Sequence, residues 1–321
     1  DPMLLEFIAR HTLPRRGIFA QEDQILVTLG AQNALWLASQ VLLTQRRTAV
    51  IENPCYPALL EILNQSRCHI HPVDVDAKGM VPYGVPDNAS VIFTTPSHQC
   101  PTNHTMPLER RKALLDRAAN LDALIVEDDY EFEIANTTTP SPALKSLDAD
   151  GRVIYVGSFS KSLFPGLRLG YLVGSAPFIR EARALRASVL RHPPGHIQRT
   201  AAYFLSLGYY DSQIKRTART YRARRETLIN AIKKYNLTIE GPAPSGGSSV
   251  WMKAPDHVNT AELAQRLQNR SVLIEPGTAF FPSVAPSASH YRLAYSSIGQ
   301  EHIETGISLI ADEIARTGLV S

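Results

Sequence analysis

Cysteine is scarce in this chain of 321 residues: Cys55, Cys68 and Cys100 are odd in number and lack the short paired spacing of a metal site or redox pair. No disulfide framework or metal site is expected, and a reducing compartment is the plain reading. Long apolar runs are also missing, so no bilayer span is expected, and the opening residues, Asp1 to Glu6, lack a signal-peptide pattern. The cytoplasm is the expected location. Excess charge is absent too: 33 basic against 30 acidic residues leave +3, too little for nucleic-acid binding by the bulk field. There is no internal repeat and no low-complexity stretch. Opening on Asp1 rather than methionine, the chain is expected to be a piece of something longer.

What is present is an ordinary hydrophobic fraction, 44%, enough for one large or two moderate domains. The most informative stretch runs from Ser158 to Gly170. An apolar run, 152–157, reads as a buried strand, and just past its end stands Lys161, with Ser158 and Ser160 before it and Arg168 seven positions on. A solvated lysine has no need of this setting. An amine nucleophile needs a walled pocket, and a phosphate needs hydroxyls, backbone N–H groups and a guanidinium beside it.

Other strand ends carry similar signals. A strand at 24–28 enters Gly30-Ala31-Gln32 and then a strongly apolar helix, whose first N–H groups lack partners within the helix and suit a phosphate. A strand at 48–52 ends in Asn53-Pro54-Cys55-Tyr56-Pro57, where two prolines restrict the backbone and aim the Tyr56 ring, as stacking on a flat group requires. A strand at 90–95 ends in Pro96-Ser97-His98-Gln99-Cys100-Pro101-Thr102-Asn103, where Asn103 tolerates positive φ and His98 carries no assigned role. A strand from Ala123 ends in Glu127-Asp128-Asp129-Tyr130, three clustered acids that repel one another.

Together these motifs resemble the fold type I pyridoxal-phosphate enzymes, in particular the aminotransferase-like effector domains of MocR/GabR-type transcription regulators. The resemblance covers nearly the whole chain. It implies pyridoxal 5'-phosphate as cofactor, with Lys161 in the internal-aldimine position and Ser158, Ser160, Arg168, Ala31 and Gln32 around the phosphate. Asp128 would face the pyridine nitrogen, with Asp129 as the alternative, Tyr130 the phenolate oxygen, and Tyr56 one ring face. Arg292, in Tyr291-Arg292-Leu293, would make a two-point bond to a substrate carboxylate. In ordinary aminotransferases an asparagine stands where Cys100 does and the tyrosine follows the aspartate by three residues, not two. Both departures match the regulator type, and the lost asparagine argues against fast transamination.

The implied architecture is an α/β large domain with a mainly parallel sheet flanked by helices (1–210). A long connecting helix and a smaller α+β domain follow (211–321), the latter marked by Gly246-Gly247 and Trp251. The expected partners are an amino-acid or amine effector, bound as an external aldimine at Lys161, and a second copy of the chain. DNA would be reached only through an N-terminal helix-turn-helix outside this sequence. Basic residues along 212–235, Lys215 to Arg225, read as the solvated face of the long helix. The alternatives are a free-standing aminotransferase of aminoadipate or kynurenine type, and a non-catalytic carrier of the cofactor.

Overall fold

The computed structural model describes residues 1–132, 142–241, 247–282 and 288–317; Gly246 lies outside them. In chain order the regular elements are α1 (Pro2–Phe7), β1 (Ile25–Thr28), α2 (Gly30–Leu42), β2 (Thr48–Asn53), α3 (Pro57–Ser66), β3 (His69–Asp76) and β4 (Gly79–Met80). There follow β5 (Ala89–Thr94), α4 (Leu108–Asn120), β6 (Leu124–Asp128), α5 (Leu144–Leu147), β7 (Val153–Ser158), β8 (Gly170–Val173), α6 (Ala176–Leu190) and α7 (Gly195–Ser206). The chain continues through α8 (Tyr209–Lys234), β9 (Thr238–Ile239), β10 (Ser249–Lys253), α9 (Thr260–Gln268), β11 (Glu275–Pro276), β12 (His290–Ala294) and α10 (Gln300–Thr317).

The large sheet has the order β1-β8-β7-β6-β5-β2-β3-β4. Its centre, from β3 through β2, β5 and β6 to β7, is parallel, and β1, β8 and β4 are antiparallel additions at its margins. Strands covered on both faces must be apolar on both, and β2, β5, β6 and β7 are buried along nearly their whole length, whereas β3, nearer the margin, is largely exposed. In β2, Ala49 and Ile51 join the cluster under α2, α3 and α6, while Val50 joins the cluster on the opposite face with Leu114 and Ala118 of α4. The same alternation places Val91 and Phe93 on one face and Ile92 on the other. Ligands of open parallel sheets bind beyond the strands' carboxyl ends, where Tyr56, Cys100, Asp128 and Ser158 fall.

The smaller sheet, β11-β12-β10-β9, is antiparallel throughout. Its core joins Val250, Met252, Tyr291 and Leu293 to Leu228 and Ile232 of α8 and to Ile303 and Ile307 of α10. Residue 210, where the sequence suggests a division, is the second residue of α8. Tyr210 packs with the large-sheet elements and donates to Ser162 Oγ at 3.0 Å, whereas the far end of α8 packs in the small unit. Helix α8 thus belongs to both.

Two segments are irregular. Residues 3–13, whose apolar spacing is helical, form α1 followed by a wider π turn, Ile8–Thr12, and a 3₁₀ turn, Leu13–Arg16, ended by Gly17 at φ 70°. Pro14, which has no N–H to give, stands in the tighter turn. After the apolar run 272–274, strand β11 is only Glu275–Pro276, and Ser271 at φ 61° turns the chain before it. Elsewhere Ser175 caps α6 by accepting from the Phe178 N–H, and Asn103 adopts φ 65°, the conformation the sequence allows it.

Candidate active site

Three segments meet at one edge of the large sheet because small residues let them. In the sheet, Ser158 at the end of β7 lies opposite Gly170 at the start of β8, which in turn lies opposite Thr28 at the end of β1. A Cβ on Gly170 would stand 2.7 Å from the Gly30 carbonyl carbon, 2.8 Å from the Gly157 oxygen and 3.0 Å from the Ala31 nitrogen. Glycine here brings the N-terminus of α2 against the lysine-bearing turn. Gly30 itself has φ 77°, and a Cβ there would meet the Arg168 guanidinium at 3.3 Å. Arg168 is also left-handed, at φ 50°, a conformation that costs a non-glycine residue about 1–2 kcal/mol and is tolerated where the surroundings fix it.

One cavity of about 180 Å³ results, lined by Ala31, Gln32, Tyr56, Cys100, Asp128, Tyr130, Ser158, Ser160, Lys161, Arg168 and Arg292. All the residues singled out for the site from the sequence are in this lining except the alternative acid, Asp129, although they come from both sheets and from positions 31 to 292 of the chain. Lys161 is partly exposed, as access to a small molecule requires, and its Nζ lies 3.7 Å from Glu131 Oε1. Ser158 Oγ accepts from the Ser160 N–H at 3.2 Å, while Ser160 Oγ is buried without a hydrogen-bond partner. Tyr56 is half-buried in the lining and stands at the entrance to α3.

The three acids after β6 divide by their partners. Glu127 accepts from the Leu144 and Lys145 N–H groups at 2.8 and 2.9 Å, and so holds the start of α5. Asp129 Oδ2 accepts from Arg16 Nε at 2.6 Å and from the Tyr155 hydroxyl at 2.8 Å. Both are structural, which accounts for two carboxylates that the sequence alone left without a stabilising role. Asp128 is different: of the three it alone lines the cavity, where it is buried, and its Oδ1, like the second oxygen of Asp129, has no hydrogen-bond partner. Burial, reinforced by Asp129, Glu52 and Glu127, pushes its carboxyl up to about 8.

Three further residues were less legible. Cys100 lines the cavity with its thiol pushed up to about 12 by burial, against the opposing pull of Arg292. Glu52 is buried below it, accepting from Thr94 Oγ1, Thr95 N, Thr95 Oγ1 and Gln99 Nε2. Glu131 accepts from Ser248 Oγ and has His98 Nε2 3.5 Å from its other oxygen, so it ties the Lys161 neighbourhood to the small unit. Nothing in a lone glutamate two residues beyond the strand-end acids gives that away.

Arg292 reaches the cavity from β12 because the small sheet is latched to the large one. Asn103 Nδ2 donates to the Ser249 carbonyl at 3.0 Å, the Cys55 N–H donates to the Phe280 carbonyl at 2.8 Å, and Cys100, Trp251 and Phe280 form one apolar cluster. Arg292 Nε donates to Ser249 Oγ at 3.0 Å and its Nη1 to Glu275 at 2.7 Å. The fork expected to be open for a carboxylate is therefore engaged at both edges.

A family model described as aminotransferase class I and II matches residues 4–310. The chain belongs to this family. Its architecture is that of the fold type I enzymes: an archaeal alanine:glyoxylate aminotransferase superposes with a TM-score of 0.92 at 27% identity, over 98% of this chain and 80% of that one. The α-aminoadipate aminotransferase LysN of Thermus thermophilus, complexed with N-(5'-phosphopyridoxyl)-L-leucine, superposes with a TM-score of 0.91 at 25% identity, over 100% of this chain and 83% of that one. In sequence, the HTH-type transcriptional regulator TauR of Rhodobacter capsulatus is 55% identical over 97% of this chain, which spans 64% of the regulator's length. The resemblance to MocR/GabR-type regulators agrees with that relative. Among the described residues of this aminotransferase-family chain, no helix is long and apolar enough to cross a membrane.

The site residues fit pyridoxal phosphate on their own chemistry. A buried carboxylate oxygen without a partner suits a protonated ring nitrogen. An unpartnered serine hydroxyl, an arginine and a helix N-terminus converge where a phosphate needs them, and a primary amine faces the same space.

Proposed function

We propose that this chain is the effector-sensing part of a MocR/GabR-type transcription regulator, holding pyridoxal 5'-phosphate at Lys161 and recognising an amino acid or amine. The observation that carries the reading is the 55% identity with a transcription regulator along 97% of the chain. DNA contact is assigned to a helix-turn-helix segment outside this sequence, and the working unit to a homodimer.

When bound, the cofactor supplies an aldehyde carbon that bonds primary amines and a ring that withdraws electrons from them. Lys161 would provide the primary amine that holds it. Arg168, the hydroxyls of Ser158 and Ser160, and the N–H groups of Ala31 and Gln32 bind its phosphate and fix its position. Asp128 would accept a hydrogen bond from a protonated ring nitrogen, which would satisfy the buried Oδ1 and favour the ionised carboxylate. Tyr130 donates its hydroxyl toward the ring oxygen, and Tyr56 covers one face. Cys100 replaces the asparagine expected beside that oxygen with a weak thiol donor, which supports binding without fast turnover.

A second reading, a free-standing aminotransferase, is favoured by the solved aminotransferases that superpose on nearly the whole chain. In it the Lys161 amine would also serve as the general base. The test is a visible-absorption titration of the cofactor-loaded chain with D- and L-amino acids and amines, with keto acid assayed in parallel. A spectral change that persists with little keto acid is the expected result. Steady keto-acid production with an added acceptor would overturn it in favour of the enzyme.

A further inference from the structure

Glu275 stands opposite Arg292 in the small sheet, at the start of the two-residue strand β11. Its carboxylate accepts from Arg292 Nη1 at 2.7 Å, while Ser249 Oγ accepts from Nε at 3.0 Å. A guanidinium offers a carboxylate two parallel N–H donors along one edge, either Nε with Nη2 or Nη1 with Nη2. Ser249 engages the first edge and Glu275 the second. Nη2 is the nitrogen that neither partner engages.

The two partners are not equivalent. Ser249 is buried and neutral, on β10 two residues before Trp251, the register partner of Arg292, and is fixed by the sheet. Glu275 is charged, and its side chain is 54% exposed against 15% for Arg292. An ion pair with one partner in water is weak, so its carboxylate can leave at little cost. It also carries the same charge as the acidic end of an amino acid, and the two compete for one edge of one guanidinium.

We infer that Glu275 is a specificity-determining residue of this site: it occupies the carboxylate-binding edge of Arg292, and a ligand's acidic group gains two-point binding only by displacing it. This deepens the proposed effector-sensing reading and rests on it. The consequence is a site that discriminates against amines bearing a carboxylate more strongly than Arg292 by itself would, and that leaves amines without an acid group unaffected.

The experiment compares matched pairs of probes, glycine against methylamine and β-alanine against ethylamine, in spectral titrations of the cofactor-loaded chain. Parent, Glu275→Gln, Glu275→Asp, Arg292→Ala and the Arg292→Ala/Glu275→Gln double variant are measured. Glu275→Gln is expected to bind the carboxylated member of each pair about fivefold more tightly, with the simple amine unchanged within about twofold. Glu275→Asp should lie nearer the parent, and Glu275→Gln should have no effect on the Arg292→Ala background, which separates competition at the guanidinium from a general structural change. Equal shifts for both members of a pair, or weaker binding of the carboxylated probe, would overturn the inference. A parent chain whose spectrum responds to no amine of either kind would overturn the functional reading and the inference with it.

Discussion

Replacing Asp128 with asparagine separates what this residue does for the cofactor from what it does to the fold. Burial raises its carboxyl from the ordinary 3.8 to about 8, so in the cofactor-free chain the protonated form is favoured by folding. A carboxyl raised in this way leaves stability intact below about pH 4 and removes it progressively as pH climbs to about 8, beyond which the loss is constant. A displacement of about four pH units corresponds to about 5 kcal/mol at most, and relaxation and water entry reduce the expected effect to about 2–3 kcal/mol. Asparagine is nearly the same shape and does not ionise. The cofactor-free Asp128→Asn chain should therefore be more stable than the parent at pH 8 by about 2–3 kcal/mol and no more stable at pH 4, in urea denaturation followed at both values. Glu52 and Glu127 are raised by burial as well, so the variant should keep part of the parent's decline. Cofactor affinity should move the other way, because a neutral amide cannot balance a protonated ring nitrogen. A variant whose stability falls between pH 4 and 8 as steeply as the parent's would refute the account of Asp128 as a strained, waiting carboxylate.

Lys161→Ala should abolish covalent attachment of the cofactor, read as loss of the added mass after borohydride reduction, with the circular dichroism spectrum unchanged. Gly170→Ala places a Cβ within 3.0 Å of three backbone atoms of α2 and β7, so the phosphate cup must open; a cofactor affinity at least tenfold weaker is expected from fluorescence titration, and unchanged affinity would separate the cup from this close approach. Arg16→Ala leaves Asp129 buried with only Tyr155 as a hydrogen-bond donor, and should cost about 3–5 kcal/mol in urea unfolding without changing which amines the loaded chain accepts.

The legible part of the site was the part built on strand ends. Lys161, Asp128 and Tyr56 announce themselves because buried strands are apolar and end abruptly, so a lysine, an acid or a proline-bracketed tyrosine at the boundary stands out against the pattern. Glu127 and Asp129 stood out for the same reason, but their work is structural: one holds a helix start by backbone N–H groups and the other pairs with Arg16, a residue 113 positions away. Spacing along a chain cannot distinguish an acid aimed into a cavity from one aimed at a distant guanidinium.

Periodicity in the sequence determined most of the element types, because those depend on local alternation, and the resemblance carried by the strand-end motifs implied the mainly parallel sheet and the residues expected around a pyridoxal phosphate. Tertiary structure alone decided which of three neighbouring acids lines the cavity, that Glu131 lies beside Lys161, and that Glu275 sits on the guanidinium of Arg292. These are contacts between segments far apart in the chain, set by strand register and by how closely glycine lets backbones approach, and neither quantity is written in the pattern of a single segment.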